Sequence, residues 1–298
     1  MTCAATMEPR EIVVISGKGG TGKTSVTAAF AAMARRPVVA DCDVDAADLH
    51  LVLGPETRER HDFRAGHTAV IQPDGCNDCG WCAELCRFGA IGLLRDSTGG
   101  VRHVVDPVAC EGCGVCVHFC PSAAIDFPEQ SCGEWMVSDT RFGPMVHARL
   151  AAAAENSGKL VSTVRREARR IAERDGCPVV IVDGPPGIGC PVIASVTGAS
   201  LVLVVTEPTV SGEHDLRRVL ALTRGFAIPT AVCVNKWDLN PDMAARIEEH
   251  ARRSGATVAG RIRYDHGMTR AQVRELTVTE TDSPCARDIR VVWDNIQQ

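Results

Sequence analysis

Two sets of residues in this chain have the types and the spacing that chemistry requires. The first is the segment Gly17-Lys18-Gly19-Gly20-Thr21-Gly22-Lys23-Thr24, which matches the pattern G-x-x-x-x-G-K-[ST]. The apolar, β-branched run Ile12–Ile15 stands before it, and the helix-forming stretch Ser25–Ala34 follows it. A strand, a glycine-rich loop and a helix in this order predict a phosphate-binding loop, because backbone N–H groups and a helix N-terminus converge on the anion.

The side chains of this loop have separate expected tasks. Lys23 is expected to reach the β- and γ-phosphates of a nucleotide, and the Thr24 hydroxyl is expected to bind Mg²⁺. The predicted phosphate-binding residues are Gly17, Gly19, Gly20, Thr21, Gly22, Lys23, Thr24 and Ser25. The alternative is a chance glycine turn before a helix, and the matching context on both sides argues against it.

The second set is a pair of cysteine runs. Cys76-x-x-Cys79-x-x-Cys82-x-x-x-Cys86 recurs 34 residues later as Cys110-x-x-Cys113-x-x-Cys116-x-x-x-Cys120. This is the spacing of a two-cluster bacterial ferredoxin, in which the fourth cysteine of each run binds the other cluster. The predicted ligands of the first [4Fe–4S] cluster are Cys76, Cys79, Cys82 and Cys120. Those of the second are Cys110, Cys113, Cys116 and Cys86.

Four cysteines also suit Zn²⁺, so a pair of zinc sites is the alternative for these runs. Zinc motifs normally separate their two CxxC pairs, whereas three cysteines at two-residue intervals favour an iron–sulfur cluster. One residue departs from the ferredoxin pattern, because Arg87 stands where the first run should have proline, while Pro121 is present in the second. This departure bears on the local backbone geometry near Cys86 and not on the prediction of the cluster itself.

Seven further cysteines lie outside the runs: Cys3, Cys42, Cys132, Cys177, Cys190, Cys233 and Cys285. Most are predicted to be small buried apolar residues, which is the usual environment of a cysteine. Cys190 is the exception, because it stands at a predicted helix start, where the thiolate is favoured and a redox or metal role is open. No secretion signal precedes these cysteines, so metal or redox chemistry is expected rather than disulfides.

Composition narrows the class of protein. The chain has 298 residues, of which 45% are hydrophobic and 23% charged, as in an ordinary globular protein. The net charge of −5 gives no reason to expect nucleic acid as a partner. No run of apolar residues is long enough to span a membrane, and the N-terminus does not read as a signal peptide. A cytoplasmic protein without a membrane span is therefore expected.

The elements that must position these residues are strands alternating with helices. Strands are predicted at Val38–Ala40, Val179–Val182, Leu201–Val205 and Thr230–Val234. Helices are predicted at Val146–Arg174, with an interruption near Asn156-Ser157-Gly158, and at Gly212–Arg224, Pro241–Ser254 and Pro284–Gln297. Continuous apolar strands separated by helices predict an α/β fold with a mostly parallel sheet covered by helices on both faces. The predicted domains are 1–62 with 129–298, and an inserted small α+β ferredoxin-like domain at 63–128.

The chain resembles a known family, and the residue that indicates this most directly is the extra lysine of the loop, Lys18. The chain resembles the MinD/Mrp-type P-loop ATPases (the deviant Walker A, or SIMIBI, class), which are related to ParA and to the nitrogenase iron protein. It looks like those members that carry an inserted two-cluster ferredoxin domain. The resemblance implies a nucleotide-sandwich homodimer, or a heterodimer with a paralogous ATPase, in which Lys18 of one subunit touches the phosphates bound by the other.

Two acidic motifs follow from the resemblance. Asp41-Cys42-Asp43 looks like the acidic motif of the second strand, in which Asp43 would orient or deprotonate the attacking water and Asp41 would hold Mg²⁺ through its water shell. Val179–Gly187 resembles a Walker B strand followed by a switch, with Asp183 near Mg²⁺ and Gly184 or Gly187 sensing the γ-phosphate. The alternative for these aspartates is turn or N-cap chemistry at strand ends.

The segment Asn235-Lys236-Trp237-Asp238 is expected to form the base pocket, with Asn235 and Asp238 as its binding residues. Its pattern N-K-x-D resembles the guanine-reading motif of GTPases, in which the aspartate accepts hydrogen bonds from the base. In the MinD-type family the corresponding asparagine contacts adenine. ATP is favoured because Lys18 and the switch sequence outweigh a four-residue match.

The expected function is ATP hydrolysis coupled to electron transfer, or to iron–sulfur or metallocofactor assembly on a partner protein, with ATP, Mg²⁺ and two [4Fe–4S] clusters as cofactors. The alternative is a redox-sensing regulatory or carrier ATPase, in which the clusters control partner binding. A third possibility, partitioning on DNA or membranes, is weakened by the acidic net charge and by the C-terminal helix. The apolar stripe of that helix is predicted to pack on the sheet, because its polar face is not basic.

Overall fold

The computed structural model describes residues 8–95, 100–151 and 157–297. The chain divides into two compact units. The first unit comprises residues 1–61, 134–149 and 157–298, and the second comprises residues 62–133 and 150–156. Each unit has its own set of candidate functional residues.

The strands of the described chain follow the sequence in this order: β1 (Arg10–Ser16), β2 (Pro37–Asp41), β3 (Glu56–His67), β4 (Val70–Ile71), β5 (Ile91–Arg95), β6 (Val101–Val105), β7 (Ile125–Asp126), β8 (Glu129–Thr140), β9 (Gly143–Leu150), β10 (Val179–Pro186), β11 (Leu201–Thr206), β12 (Thr230–Asn235) and β13 (Thr257–Ile262). Strands β3 and β8 each carry the chain from one unit into the other.

The helices are α1 (Lys23–Met33), α2 (His50–Leu53), α3 (Trp81–Leu85), α4 (Val115–His118), α5 (Ser157–Asp175), α6 (Cys190–Val196), α7 (Val210–Gly225), α8 (Pro241–Arg253), α9 (His266–Val273) and α10 (Pro284–Gln297). Short 3₁₀ turns occur at Pro73–Gly75, Trp237–Leu239 and Val278–Glu280. None of the helices in the described ranges has the length and hydropathy that crossing a membrane requires.

The main sheet has the strand order β13-β12-β11-β1-β10-β2-β9-β8-β3. Its pairs from β13 through β9 are parallel. Helices pack against it, as the alternating pattern predicts, so the α/β fold with a mostly parallel central sheet is confirmed. In such a sheet ligands bind at the carboxyl ends of the strands.

Alternate residues of β1 face opposite sides of the sheet. Ile12 and Val14 belong to an apolar core that includes Phe30 of α1 and residues of α9 and α10. Ile15 faces the other side, since a Cβ placed at Gly184 would lie 2.6 Å from its Cγ2 and 3.1 Å from the Ser195 hydroxyl of α6. Both faces of the strand are therefore buried, which explains its unbroken apolar run.

The predicted helix Val146–Arg174 is wrong in its first part, from Val146 to Leu150. Residues 143–150 form strand β9, and Met145 and Val146 pair in parallel with Val39 and Ala40 of β2. The helix begins at Ser157 instead. The sequence pattern also missed β3, β8, β13 and α9, because charged edge strands such as β3 lack the apolar run that marked the central strands.

The C-terminal helix packs as predicted. Ile289, Val292 and Ile296 of α10 belong to the core that α1 and the sheet share. The rings of Trp293 and Phe30 have centroids 4.8 Å apart. The apolar stripe of the helix is therefore used in packing on the sheet side.

The second unit is a structural repeat that follows the cysteine repeat. Ile71 of β4 pairs antiparallel with Ile125 of β7, and the residues 34 positions away, Val105 of β6 and Ile91 of β5, form the equivalent pair. The helices α3 and α4 follow the central cysteines of the two runs at equivalent places. The sequence duplication is thus also a duplication of backbone geometry.

Candidate functional site

The phosphate-binding loop lies between β1 and α1, at the carboxyl end of the central strand. Gly22 stands at the N-cap of α1 with φ of 89°, in the left-handed region that favours glycine. A Cβ at this position would lie 2.4 Å from Asn235 Nδ2, so no side chain fits. Gly17 is constrained as well, because a Cβ there would lie 2.3 Å from Asp215 Cβ.

Lys23 is the centre of a buried polar group on the first turn of α1. Its Nζ lies 3.0 Å from Asp183 Oδ1 and 3.2 Å from Asp43 Oδ2. Thr24 donates a hydrogen bond of 2.8 Å to the other oxygen of Asp183. Thr27, one turn along the helix, donates one of 2.9 Å to Oδ1 of the same carboxylate. The structure therefore brings together the predicted loop, strand-end and Walker B residues.

Burial and neighbouring charges both shift the pKa values of the residues in this group. Burial raises the pKa of Asp41 well above its usual value, and the nearby Asp183 carboxylate raises it further. Burial likewise raises the pKa of Asp43. Burial opposes the charge on Lys23, but the carboxylates of Asp183 and Asp43 outweigh it, so the pKa of the lysine is raised. Two carboxylates, those of Asp43 and Asp183, therefore contact one lysine, and the charge of Asp41 adds to their effect on it.

Two buried oxygens of this site have no hydrogen-bond partner in the part of the chain that the structure describes, Asp41 Oδ2 and Thr21 Oγ1. The other oxygen of Asp41 accepts a bond of 3.2 Å from the Asp43 N–H. An unpaired buried oxygen is costly unless a ligand satisfies it. Oxygen ligands and excess negative charge are what Mg²⁺ takes, so these residues fit the ion.

Lys18 does not lie with this buried group. Its Nζ contacts Ser211 Oγ at 3.1 Å and Glu207 Oε2 at 3.4 Å. The second oxygen of Glu207 is 2.5 Å from Lys236 Nζ, which also donates to the Gly20 carbonyl at 3.3 Å. The Glu207 carboxylate thus links Lys18 of the phosphate-binding loop to Lys236, a role that the sequence pattern did not indicate.

Asn235 and Asp238 have different surroundings. The buried Asn235 donates from Nδ2 to the Thr21 carbonyl at 2.7 Å, and its Oδ1 accepts from the Lys236 N–H at 2.9 Å. Asp238 is exposed and accepts a 2.7 Å bond from the Tyr264 N–H. In this geometry the Asn235 side chain supports the phosphate-binding loop, and its predicted contact with a base stays a prediction.

One cavity of about 440 Å³ lies against Glu11, at the end of β1 opposite to the phosphate-binding loop, so it is not part of this site. The cavity of about 400 Å³ beside Lys23 is the relevant one. Met268 and Gln272 of α9 line it, and Gln272 Nε2 donates to Ser25 Oγ at 2.9 Å. Sequence analysis missed both, since α9 carries no motif.

The switch residues Gly184 and Gly187 have distinct places. Gly184 packs closely against Ile15 of β1. Gly187 has φ of 95°, and its N–H donates to the Ser16 carbonyl at 2.9 Å. Both therefore lie at the carboxyl end of β1, the end at which the phosphate-binding loop begins.

In the second unit, the eight cysteines of the repeat line two small cavities of about 20 Å³ each. Cavity A is lined by Cys76, Cys79, Cys82 and Cys120. Cavity B is lined by Cys86, Cys110, Cys113 and Cys116. Three cysteines of one run and the last cysteine of the other thus share each cavity, which is the crossed grouping that the spacing predicts.

The two cavities have the same backbone features. The Ala90 N–H donates to Cys86 Sγ at 3.3 Å, and the Ala124 N–H, 34 residues later, donates to Cys120 Sγ at 3.4 Å. Gly112 has φ of 61°, and a Cβ there would lie 2.4 Å from the His67 carbonyl oxygen.

Within the described ranges, no three or more His, Cys, Asp or Glu side chains form a group that could hold a metal ion directly.

The remaining cysteines largely match their predicted environments. Cys42, Cys132, Cys177, Cys233 and Cys285 are buried. Burial raises the pKa of the Cys42 and Cys233 thiols, which keeps both neutral. Cys190 is exposed at the first residue of α6. Cys3 lies outside the described residues.

Comparisons with known proteins agree with this geometry. The CbiA family, described as the CobQ/CobB/MinD/ParA nucleotide binding domain, matches residues 12–278. The chain is 31% identical over 233 residues to the protein MJ0578 of Methanocaldococcus jannaschii, a match that covers 77% of this chain and 79% of that protein.

Solved structures of MinD share the fold. The MinD of Pyrococcus horikoshii complexed with Mg-ADP superposes with a TM-score of 0.57 at 16% identity, over 97% of this chain and 96% of that one. The MinC:MinD complex of Aquifex aeolicus gives 0.56 at 19% identity, over 97% and 96%. The chain belongs to the CobQ/CobB/MinD/ParA family of P-loop nucleotide-binding proteins.

Proposed function

We propose that this protein is an ATP-binding and ATP-hydrolysing iron–sulfur protein, in which nucleotide-driven dimer switching is coupled to electron transfer or to metallocofactor assembly on a partner protein. The observation that carries the proposal is the crossed grouping of eight cysteines around two cavities, in a chain that also has a P-loop. The two halves of the proposal rest on different residues and can be tested separately.

The nucleotide half rests on the buried group around Lys23. On binding, Lys23 would exchange its contacts with Asp43 and Asp183 for the β- and γ-phosphates, and Thr24 would contribute a hydroxyl to Mg²⁺. Asp41 and Asp183 would hold the water shell of the ion. That a family relative was solved with Mg-ADP supports this assignment. Mg²⁺ would supply charge neutralisation at the phosphates.

Hydrolysis would depend on Asp43. This carboxylate lies beside Lys23, so it is close to where a γ-phosphate would be held. The raised pKa of Asp43 makes it a better proton acceptor than an ordinary aspartate while leaving it paired with the lysine. Lys18, on the same loop but facing Ser211, would act on the nucleotide of a second subunit rather than on its own.

ATP is the proposed nucleotide. One oxygen of Asp238 already accepts the Tyr264 N–H, and Asn235 is committed to the P-loop, so the N-K-x-D pattern is used in local structure. A guanine reader needs this aspartate directed at the base. The match to the guanine pattern therefore carries less weight than the family relationship.

The cysteines of cavities A and B fit a [4Fe–4S] cluster better than zinc. Zinc motifs normally separate their two CxxC pairs, whereas each run here has three cysteines at two-residue intervals and a fourth cysteine that lines the other cavity. The N–H donors to Cys86 and Cys120 Sγ are the kind of contact that stabilises a cluster thiolate. Such clusters supply one-electron chemistry.

The first experiment is anaerobic purification with iron, sulfide and zinc quantified, followed by EPR of the reduced protein. About eight irons per chain are expected for two clusters. Zinc in their place would overturn the iron–sulfur half of the proposal. ATP hydrolysis measured on the same samples tests the nucleotide half independently.

A Cys113→Ala variant separates electron delivery from redox sensing. If the clusters deliver electrons, this variant loses reduction of an acceptor dye and keeps ATP hydrolysis. If they regulate the ATPase, hydrolysis falls along with the cluster content. Cys177→Ala is the matched control, because this buried cysteine belongs to the first unit and lines neither cavity.

A further inference from the structure

The cavity beside Glu11 lies between helices α5 and α6 of the first unit, at the end of β1 away from the phosphate-binding loop. Its volume of about 440 Å³ is in the range of small-molecule sites. Its polar wall residues are Glu11, Ser162, Arg165, Arg166, Arg169 and Thr197. None of the described wall residues belongs to the phosphate-binding loop or to the cysteine runs, so the function proposed above does not use this cavity.

One side of the cavity is a group of ion pairs around Glu11. This residue is only 2% exposed, and each of its carboxylate oxygens contacts a different arginine. Arg165 Nε lies 2.6 Å from Oε1, and Arg169 Nη2 lies 2.6 Å from Oε2. One negative charge is therefore shared between two positive charges.

Arg165 is held by further contacts. It is 9% exposed, and its Nη1 donates to the carbonyl oxygens of Ala194 and Thr197 at 2.7 and 3.0 Å. These carbonyls stand at the C-terminal end of α6, where helix carbonyls lack partners within the helix. Arg165 therefore joins β1 to α6, the helix that follows Gly187, and its guanidinium group is fixed beside the cavity.

Arg166 differs from the other arginines of the wall, because no carboxylate pairs with it in the part of the chain that the structure describes. Its Nη2 has a 3.5 Å contact with the Thr163 hydroxyl. Arg170, four positions after Arg166 on the same helix, pairs with Glu167 instead. The wall of the cavity thus carries three positive charges and one negative charge.

We propose that this cavity binds a small molecule with two negative charges, carried by carboxylate or phosphate groups. Two such charges balance those of the wall. Guanidinium groups bind both kinds of anion through paired N–H donors. Arg165 uses three of its five N–H groups in the contacts above, and Arg169 uses one, so both keep donors for a ligand.

Acidic residues outside the wall do not cancel this charge. Glu8 and Glu173 interact electrostatically with Arg169, but both are exposed and neither lines the cavity. Water and salt screen exposed charges more than they screen charges in a partly enclosed wall. The buried pairing of Arg165 with Glu11 also fixes the donors before a ligand arrives, which lowers the cost of binding.

The test is calorimetric titration of the full chain with succinate and, separately, with glycerol phosphate, at low ionic strength and with saturating Mg-ADP. Mg-ADP keeps the probes out of the phosphate-binding loop. One molecule of at least one probe should bind per chain, and the probe that binds identifies the anionic group. Arg166→Gln should weaken binding at least about tenfold, since a hydrogen bond between charged groups is lost. Arg166→Lys, which keeps the charge, should weaken it less.

Arg170→Gln is the matched control, because Arg170 is an exposed arginine of the same helix that does not line the cavity. It should bind the probe as the wild type does, and circular dichroism checks that each variant is folded. Absence of binding by both probes at about 10 mM would overturn the proposal. Unchanged affinity in Arg166→Gln would also overturn it. So would an equal loss in Arg170→Gln, because that result indicates a general basic surface and not a site.

Discussion

Replacing Asn235 by alanine tests whether this residue supports the phosphate-binding loop or reads the base. Its side chain is buried and makes two hydrogen bonds, from Nδ2 to the Thr21 carbonyl at 2.7 Å and from the Lys236 N–H to Oδ1 at 2.9 Å. Alanine removes both. The two backbone groups then lose their partner in a region where water has little access, and the loop loses an anchor next to Gly22.

The expected cost follows from these contacts. A net hydrogen bond contributes about 1 kcal/mol, and leaving a buried polar group unpaired costs up to about 3 kcal/mol. If this cost falls on the nucleotide-binding conformation of the loop, affinity for Mg-nucleotide drops by about 5-fold to 150-fold. Because the loop contacts phosphates, the loss should be the same for adenine and guanine nucleotides.

The assay is calorimetric titration with non-hydrolysable ATP and GTP analogues. Asn240→Ala is the matched control, because Asn240 caps α8 through a 3.1 Å bond from the Met243 N–H and lies outside the cavity. It should lower thermal stability and leave affinity unchanged. The reasoning fails if Asn235→Ala changes the ratio of the two affinities more than tenfold while the ATP affinity stays within twofold of wild type.

Three further predictions use other parts of the first unit. Asp43→Asn should keep nucleotide binding and lower the hydrolysis rate by at least about 100-fold, whereas the exposed Asp45→Asn should leave the rate unchanged in the same phosphate-release assay. Glu207→Gln should remove the ion pair that holds Lys18 and tighten ATP-dependent self-association by about two- to fivefold, which is the contribution expected of a partly exposed ion pair. Unchanged sedimentation profiles would contradict this. Burial lowers the pKa of the His147 imidazole to about 4 in the folded chain. On acidification the imidazole is therefore protonated in the unfolded chain before it is protonated in the folded one, and the free energy of unfolding falls as pH drops from about 6.5 toward 4. At pH 5 we expect a loss of about 1 kcal/mol after allowing for the partly exposed ring, which urea titrations of His147→Gln should not show.

Much of the central architecture could be predicted because its signals are local. The run Ile12–Ile15 is apolar without alternation, which indicates a strand buried on both faces, and the structure places it at the centre of the sheet. The stripe on the C-terminal helix likewise predicted its packing. The strand at Gly143–Leu150 could not be found in this way, because its pairing with β2 depends on residues about 100 positions away.

The sequence by itself determined the inventory of chemical groups: a loop that can hold phosphates, acidic residues at strand ends, and eight cysteines in a spacing that groups them crosswise. The spacing of residues in the sequence is enough to predict these groups, because each group is formed by a short stretch of backbone. Only the tertiary structure decided the partners. Asn235 lies against a loop more than 200 residues earlier in the chain, and Glu207 joins Lys18 to Lys236. These contacts depend on which strands become neighbours, and no local pattern records that choice.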